Sequence, residues 1–196
     1  MKRIVFIITI IFCLQSKAQD VSYGISVGTN VYSLLTDSNV SFNPSGSYSI
    51  PEYAGLHVGV YGDYQLNDHF GIVADIAYEK RTINIDPRTK LSYISLSPKL
   101  KFDINGSYNQ GFYLKSGLRY AILTAAETTT GVDVKEGYKN GAFSLNLGVG
   151  TNFSKFLGLE LIFDYSLTNA FDADVKSKMF GAYAMLTVDI EKLIHK

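Results

Sequence analysis

The chain has one cysteine, no tryptophan, four prolines and three histidines in 196 residues. One cysteine excludes an intrachain disulfide, so packing and hydrogen bonds must hold the fold. Three histidines (His57, His69 and His195) and one cysteine give no cluster with metal-ligand spacing, and no cofactor is expected. Charge is scarce and balanced, with 18 Lys and Arg against 18 Asp and Glu. That leaves no basic stripe, so nucleic acid is not an expected partner. No apolar run reaches the roughly 18 residues a membrane-spanning helix needs. After residue 20 no helical period of 3.6 appears, except one turn in Ile190 to His195.

The one longer apolar run is at the start, "MKRIVFIITIIFCLQSKAQD". Lys2 and Arg3 precede 11 residues, Ile4 to Leu14, and Ser16 and Ala18 follow at small-residue cleavage positions. This pattern predicts a secretory signal over 1–19 and a mature domain over 20–196. An anchored N-terminal helix is the competing reading, but the run is short for it. A lipid anchor on Cys13 is disfavoured by the bulky Phe12 before it. Removing Lys2, Arg3 and Lys17 takes three bases and no acids, leaving a mature charge of −3.

Tyr and Phe (26 together) and 17 glycines dominate what is there. Alternation with a period of two, the mark of an extended strand, recurs in eight segments: 21–32, 54–66, 69–81, 91–102, 111–123, 142–153, 157–168 and 178–190. In "AFSLNLGVGTNF" one face carries Phe143, Leu145, Leu147, Val149 and Phe153, and the other Ser144, Asn146, Gly148, Gly150 and Asn152. The connections run long (34–53, 124–139), intermediate (82–90, 103–110, 169–177) and short (67–68, 154–156).

Alternation alone does not say which face is inside. A soluble lipocalin-like barrel would bury the apolar face around a small apolar ligand; a membrane barrel would turn it to lipid. Three features favour lipid. The polar face is rich in Gly, Ser and Asn, which fit a narrow eight-strand lumen. Aromatics sit at both ends of the apolar face: Phe70, Phe102, Phe112 and Phe153 beside short turns, and Tyr78, Tyr120, Phe143, Tyr165 and Phe180 toward the longer loops. The eight residues from Phe70 to Tyr78 correspond to about 20 Å of depth for a tilted strand. The polar-face charges also look paired: the bases Lys99, Lys101, Lys115 and Arg119 on the neighbouring fourth and fifth segments would face the acids Asp75 and Glu79 on the third and Glu160 and Asp164 on the seventh, as a buried ion-pair network requires. The expected fold is an all-β, eight-stranded antiparallel up-and-down transmembrane barrel in the outer membrane.

The stretches "LNDHFGIVADIAYEKR", "YISLSPKLKF" and "GFYLKSGLRYAIL", with the signal ending "SKAQ", resemble the small outer-membrane β-barrel proteins of Bacteroidetes, the PorT-like family. The resemblance covers nearly the whole mature chain and implies the barrel fold; its name-giving member is associated with protein secretion across the outer membrane. The chain departs from many outer-membrane proteins in ending "TVDIEKLIHK" rather than on an aromatic residue. Pro98 falls within a strand, where a bulge would accommodate it.

No enzyme is expected. None of the three histidines has a serine two residues away on its own face, the arrangement a lipid-modifying barrel hydrolase would carry. "DAD" at Asp172 to Asp174 lacks the other ligands of a calcium loop, and "GVG" at Gly148 to Gly150 lacks the Lys-Ser/Thr and helix of a phosphate loop. The lumen charges read as a structural plug, with an ion path as the alternative. The expected role is a monomeric scaffold or adhesin-like surface protein, embedded in outer-membrane lipid. Loops 34–53 and 124–139 would meet a surface protein or polysaccharide. The alternatives are a narrow pore or secretion-accessory barrel, and the lipocalin-like carrier.

Overall fold

A computed structural model of the chain describes residues 21–36, 54–83, 87–172 and 176–194. The expected signal (1–19), most of the 34–53 connection, His195 and part of the "DAD" stretch lie outside the described residues.

Eight strands form: β1 (Val21–Thr36), β2 (Gly55–Gln65), β3 (Phe70–Ile83), β4 (Thr89–Asp103), β5 (Gly111–Thr128), β6 (Gly141–Asn152), β7 (Leu157–Ser166) and β8 (Ser177–Asp189). Each pairs antiparallel with the next, and β8 returns to β1 from Gly24↔Asp189 to Thr36↔Ser177, closing the barrel. Closure leaves no edge with unpaired backbone groups, which a strand in lipid cannot tolerate. A short helix, α1 (Ile190–Ile194), follows β8.

Several strands outrun their alternating patterns. Residues 34–36 belong to β1 and 124–128 to β5, so the expected loops 34–53 and 124–139 are shorter than the sequence suggested. The last five residues of β5 escape the alternating pattern because the strand holds a bulge: Tyr93 pairs Leu123 but Ser92 pairs Ala125. Thr124 is the extra residue, and its hydroxyl donates to the Ser92 carbonyl at 3.0 Å. The bulge reverses parity, so Leu123 and Ala126 both point inward. Pro98 needs no bulge. The β4–β5 register is the same on both sides of it, Leu96↔Tyr120 and Lys99↔Gly117, with the ladder simply interrupted.

The two ends of the barrel differ. At one, tight connections close 66–69 and 153–156. The Asn67 side chain accepts from the amides of His69 and Phe70, both at 2.9 Å. Ser154 Oγ accepts from Phe156 and Leu157, at 3.2 and 3.1 Å. These side chains substitute for backbone partners in tight turns. Connection 104–110 and α1 lie at this turn end. The longer loops lie at the other.

The outward face is apolar: Val60, Ile76, Leu96, Leu118, Leu147, Leu161 and Phe163 are all exposed, Val60 by 56% and Leu147 by 53%. An apolar belt around a whole barrel is far larger than a soluble monomer exposes, whereas lipid covers it. The inward face is polar, which overturns the lipocalin-like alternative. One inward region departs from that pattern. Near the loop end Tyr32, Ile83, Leu91, Tyr93, Leu123, Ala126, Tyr138 and Met179 form an apolar cluster inside the barrel.

Candidate functional site: the filled lumen and the loop end

The strand pleat sends Asp75, Glu79, Lys99, Lys101, Lys115, Arg119, Glu160 and Asp164 into the lumen, all poorly exposed. Arg119, at 0% exposure, is the central cation. Its Nη1 reaches Tyr32 Oη at 3.0 Å and Glu79 Oε2 at 3.2 Å, and its Nη2 donates to Asp164. Asp164 also accepts from Asn146 Nδ2 at 2.6 Å and from Tyr32 at 3.1 Å. Glu79 accepts from Ser95 at 2.8 Å and from Arg81 Nη2 at 2.6 Å. The Arg81 guanidinium lies between the Tyr32 and Tyr93 rings, 4.3 and 4.4 Å from their centroids. Such a buried set is viable only because each ion has partners.

A second group lies toward the turn end. Lys99 pairs with Asp75, and Lys115 with Glu160 at 2.5 Å; Glu160 also accepts from Tyr113 at 2.8 Å. Lys101 reaches Asp63 at 3.1 Å and Asp103 at 3.7 Å, with the Tyr108 and Tyr113 rings each 4.5 Å away. Tyr108 arrives from connection 104–110 and donates to Asp63. The lumen cavity here, lined in part by Asp63, Lys101, Tyr113 and Glu160, measures about 20 Å³. That is room for about one water.

The sequence reading omitted Tyr32, His57, Asp63, Arg81, Asp103 and Tyr113 from this group. Inward parity could have found all six. Tyr108 had no such signal, because it lies in no strand.

Three neighbouring strands bring together a constellation that spacing within one strand could not reveal. Ser26 Oγ on β1 is 3.3 Å from His57 Nε2 on β2, and His57 Nδ1 is 3.7 Å from Glu79 Oε1 on β3. The order of groups is that of a Ser–His–acid triad. Ser26 is 3% exposed, however, and the small lumen cavity does not reach it. Glu79 is held by Arg81, Arg119 and Ser95, and His57 stacks on Tyr183 with centroids 5.5 Å apart. Ser26, His57 and Glu79 are thus enclosed by the barrel and form part of its buried polar packing.

The expected aromatic residues all face outward. Phe70 and Phe102 pair across β3–β4 near the turns, with ring centroids 5.0 Å apart. Tyr120 and Phe143 pair across β5–β6 nearer the loops, at 4.9 Å. Phe153 lies in the turn just after β6.

At the loop end, 129–140 and 167–172 join. The Lys139 amide donates to Ala170 at 3.0 Å and the Asp172 amide to Gly137 at 3.2 Å. Tyr138 packs on Phe171, with centroids 5.1 Å apart. Below, Val134 N donates to Ala126 at 2.9 Å, fastening the loop to β5. Asp133, Lys135, Glu136 and Asp172 border a shallow, open depression on this surface. Among the described residues no three His, Cys, Asp or Glu side chains gather as a metal site.

A search of the curated proteins finds no match to this chain. Solved structures do match. Ail, the attachment invasion locus protein of Yersinia pestis, solved in complex with the heparin analogue sucrose octasulfate, is 13% identical with a TM-score of 0.52. The match covers 87% of this chain and 99% of that one. Neisserial surface protein A is 15% identical with a TM-score of 0.52, over the same shares of the two chains. At these identities the likeness speaks for the fold. The model of one family, the outer membrane protein beta-barrel domain, matches residues 15–172. The chain belongs to that family and is an outer-membrane protein.

Proposed function

We propose that this protein is a non-enzymatic, monomeric surface scaffold, whose loop end makes contact with a polysaccharide or a surface protein. The observation carrying this reading is the fusion of 129–140 and 167–172 into one hydrogen-bonded body above an apolar lumen cluster. A rigid barrel that spends ordered backbone on an exposed polar surface is suited to recognition. Short turns in such barrels face the periplasm and longer loops the exterior, which puts this surface outside the cell. Ail was solved with a heparin analogue, and that favours including a sulfated polysaccharide among the ligands tested. Enclosure of Ser26, His57 and Glu79 supports the non-enzymatic reading, and self-closure through β1–β8 supports the monomer. The quoted sequence stretches support a place among the PorT-like barrels of Bacteroidetes, and the charged start and short apolar run support an export signal over 1–19. The nine outward aromatics serve as interfacial girdles, and the eight lumen charges as a structural plug.

The test replaces 129–140 with a short Gly-Asn turn in the full chain expressed on cells. Retention of cells on immobilised heparin-like polysaccharide and on host-matrix proteins is measured, with barrel assembly followed by heat-modifiable gel mobility. Loss of retention with normal assembly supports the reading; unchanged retention on every surface that the native chain binds overturns it.

A further inference from the structure

The last strand stops short of the first at the seam where the barrel closes. β8 ends at Asp189, opposite Gly24, while β1 continues along β2 through Tyr23, Ser22 and Val21. Among the described residues no strand lies beside the seam side of those three. Three residues of a tilted strand cover about 8 Å of depth, so α1 leaves the wall before the wall ends. It turns away at once. The Lys192 amide donates to the Asp189 carboxylate at 3.0 Å, which caps the helix, and the helix packs against β1.

The five residues of α1 sort by face. Ile190, Leu193 and Ile194 are spaced i, i+3 and i+4, which puts them on one side. Ile190 enters an apolar groove on the outside of the barrel with Tyr23, Ile25, Val60 and Leu96, all of them exposed residues of the outward belt. Leu193 and Ile194 are 45% and 65% exposed. Glu191 and Lys192 lie on the other side. They border the open depression at the turn end together with Asn109, Asn152 and Lys155, and Lys192 Nζ is 3.6 Å from the Asp189 carboxylate. The apolar side of α1 is thus continuous with the belt, and its charged side with the mouth of the lumen.

We propose that α1 is an interfacial anchor, with Ile190, Leu193 and Ile194 set in the phospholipid of the turn-end leaflet beside the uncovered seam side of β1. A free helix of five residues would not form in water or hold itself to a lipid surface. Joined directly to β8, it is delivered to that surface by the barrel, so little freedom remains to be lost on contact. Apolar residues on one side and charges on the other are what a helix lying in the interface plane requires. Lipid is the occupant, ahead of a second copy or a soluble partner, because the groove that Ile190 enters opens onto the same belt that the bilayer covers. The inference goes beyond the scaffold reading and uses none of the loops on which that reading rests.

The chain has no tryptophan, so one introduced indole reports its own surroundings. The full chain carrying Leu193→Trp, and separately Glu191→Trp, is folded into phosphatidylcholine nanodiscs, which leave both membrane faces open to solvent. Emission is recorded with ordinary lipid, with lipid brominated on the acyl chains near the headgroup, and with iodide in the water. Leu193→Trp should emit at shorter wavelength, lose most of its emission to the brominated lipid and resist iodide. Glu191→Trp should show the opposite pattern. Emission from Leu193→Trp that iodide quenches and bromine does not overturns the proposal. So does a short-wavelength emission that neither agent touches, which would mean that protein, from this chain or a second copy, covers the face. Heat-modifiable gel mobility confirms the barrel in each variant. If Leu193→Trp does not fold, Ile194→Trp takes its place, with the same readings for and against.

Discussion

The ring of Tyr113 covers Gly150, its direct partner across the β5–β6 ladder. A Cβ at Gly150 would run into that ring. The relationship recurs: Tyr61 lies over its partner Gly24, and Tyr32 over its partner Gly181. In a narrow lumen a glycine on one strand makes the room in which a tyrosine from the next can lie flat. Tyr113 then brings its hydroxyl to Glu160 and Tyr32 its hydroxyl to Arg119 and Asp164. Gly150→Val should therefore destabilise the barrel by about 1–3 kcal/mol through overpacking, read as a lower urea midpoint in lipid vesicles. Adding Tyr113→Ser should recover part of the loss, and two fully additive effects would mean that the ring and the glycine are not coupled.

Arg119 joins Glu79 and Asp164, which lie on opposite sides of the lumen. Arg119→Ala would leave two buried carboxylates without their shared cation, at a cost of about 3–5 kcal/mol. Neutralising the layer together, as Arg119→Met with Glu79→Gln and Asp164→Asn, should be better tolerated than the single change. Thermal loss of the fast-migrating unboiled gel band ranks the variants. A single variant as stable as the native chain would mean that the layer adds nothing.

The same layer makes a prediction about transport. The lumen cavity near the turn end holds about one water, and Arg119 and its partners fill the section above it. Purified protein in planar bilayers should give no unitary conductance steps, and Lys115→Ala should not create them, because Arg119, Glu79 and Tyr32 remain in place. Steps carried by the native chain and altered by Lys115→Ala would instead identify the lumen charges as a path.

What the sequence made legible and what it did not divides along physical lines. Alternation is a local property, so Leu145, Leu147 and Val149 could be placed on the opposite face from Ser144, Asn146 and Gly148 by reading neighbours. The partners of Arg119 depend on which strands face each other across the lumen, which no local pattern states; Arg81, His57 and Asp63 have the inward parity and were passed over although reading neighbours could have placed them. The bulge at Thr124 reverses parity without any change in the texture of "AILTAAETTT". The apolar cluster of Ile83, Leu91, Leu123 and Met179 was missed because an apolar residue of inward parity looks like a lapse in the pattern until Tyr138 folds down onto it.

Alkaline pH should act on the turn end through Tyr108. Burial, and then the Asp63 carboxylate that its hydroxyl meets, raise the Tyr108 phenol well above its ordinary value near 10. In the unfolded chain the phenol ionises near that ordinary value. The stabilisation is therefore fully present below about pH 10 and declines as pH rises above it. Native protein should lose urea resistance above that pH faster than Tyr108→Phe, whose ring has no proton to lose. Parallel profiles for the two proteins would remove Tyr108 from the account.

Tyr138 offers the sharpest separation of barrel from surface. Its ring is buried between the lumen cluster and Phe171, while its loop lies outside the ladder. Tyr138→Ala removes the aromatic contact joining 129–140 to 167–172 and opens space above Ile83 and Leu91. Aromatic-to-alanine truncation costs about 3–5 kcal/mol in a closed core; here much of that loss should fall on the loop end, since the β-ladders below do not pass through Tyr138. The expected result is a barrel that still assembles and shifts on gels, with proteolytic cleavage of 129–140 in intact cells at protease levels that spare the native chain. Equal protease resistance would mean that the backbone bonds from Lys139 and Asp172 hold the surface without the ring. Failure of the barrel itself to assemble would instead place Tyr138 in the core on which folding depends.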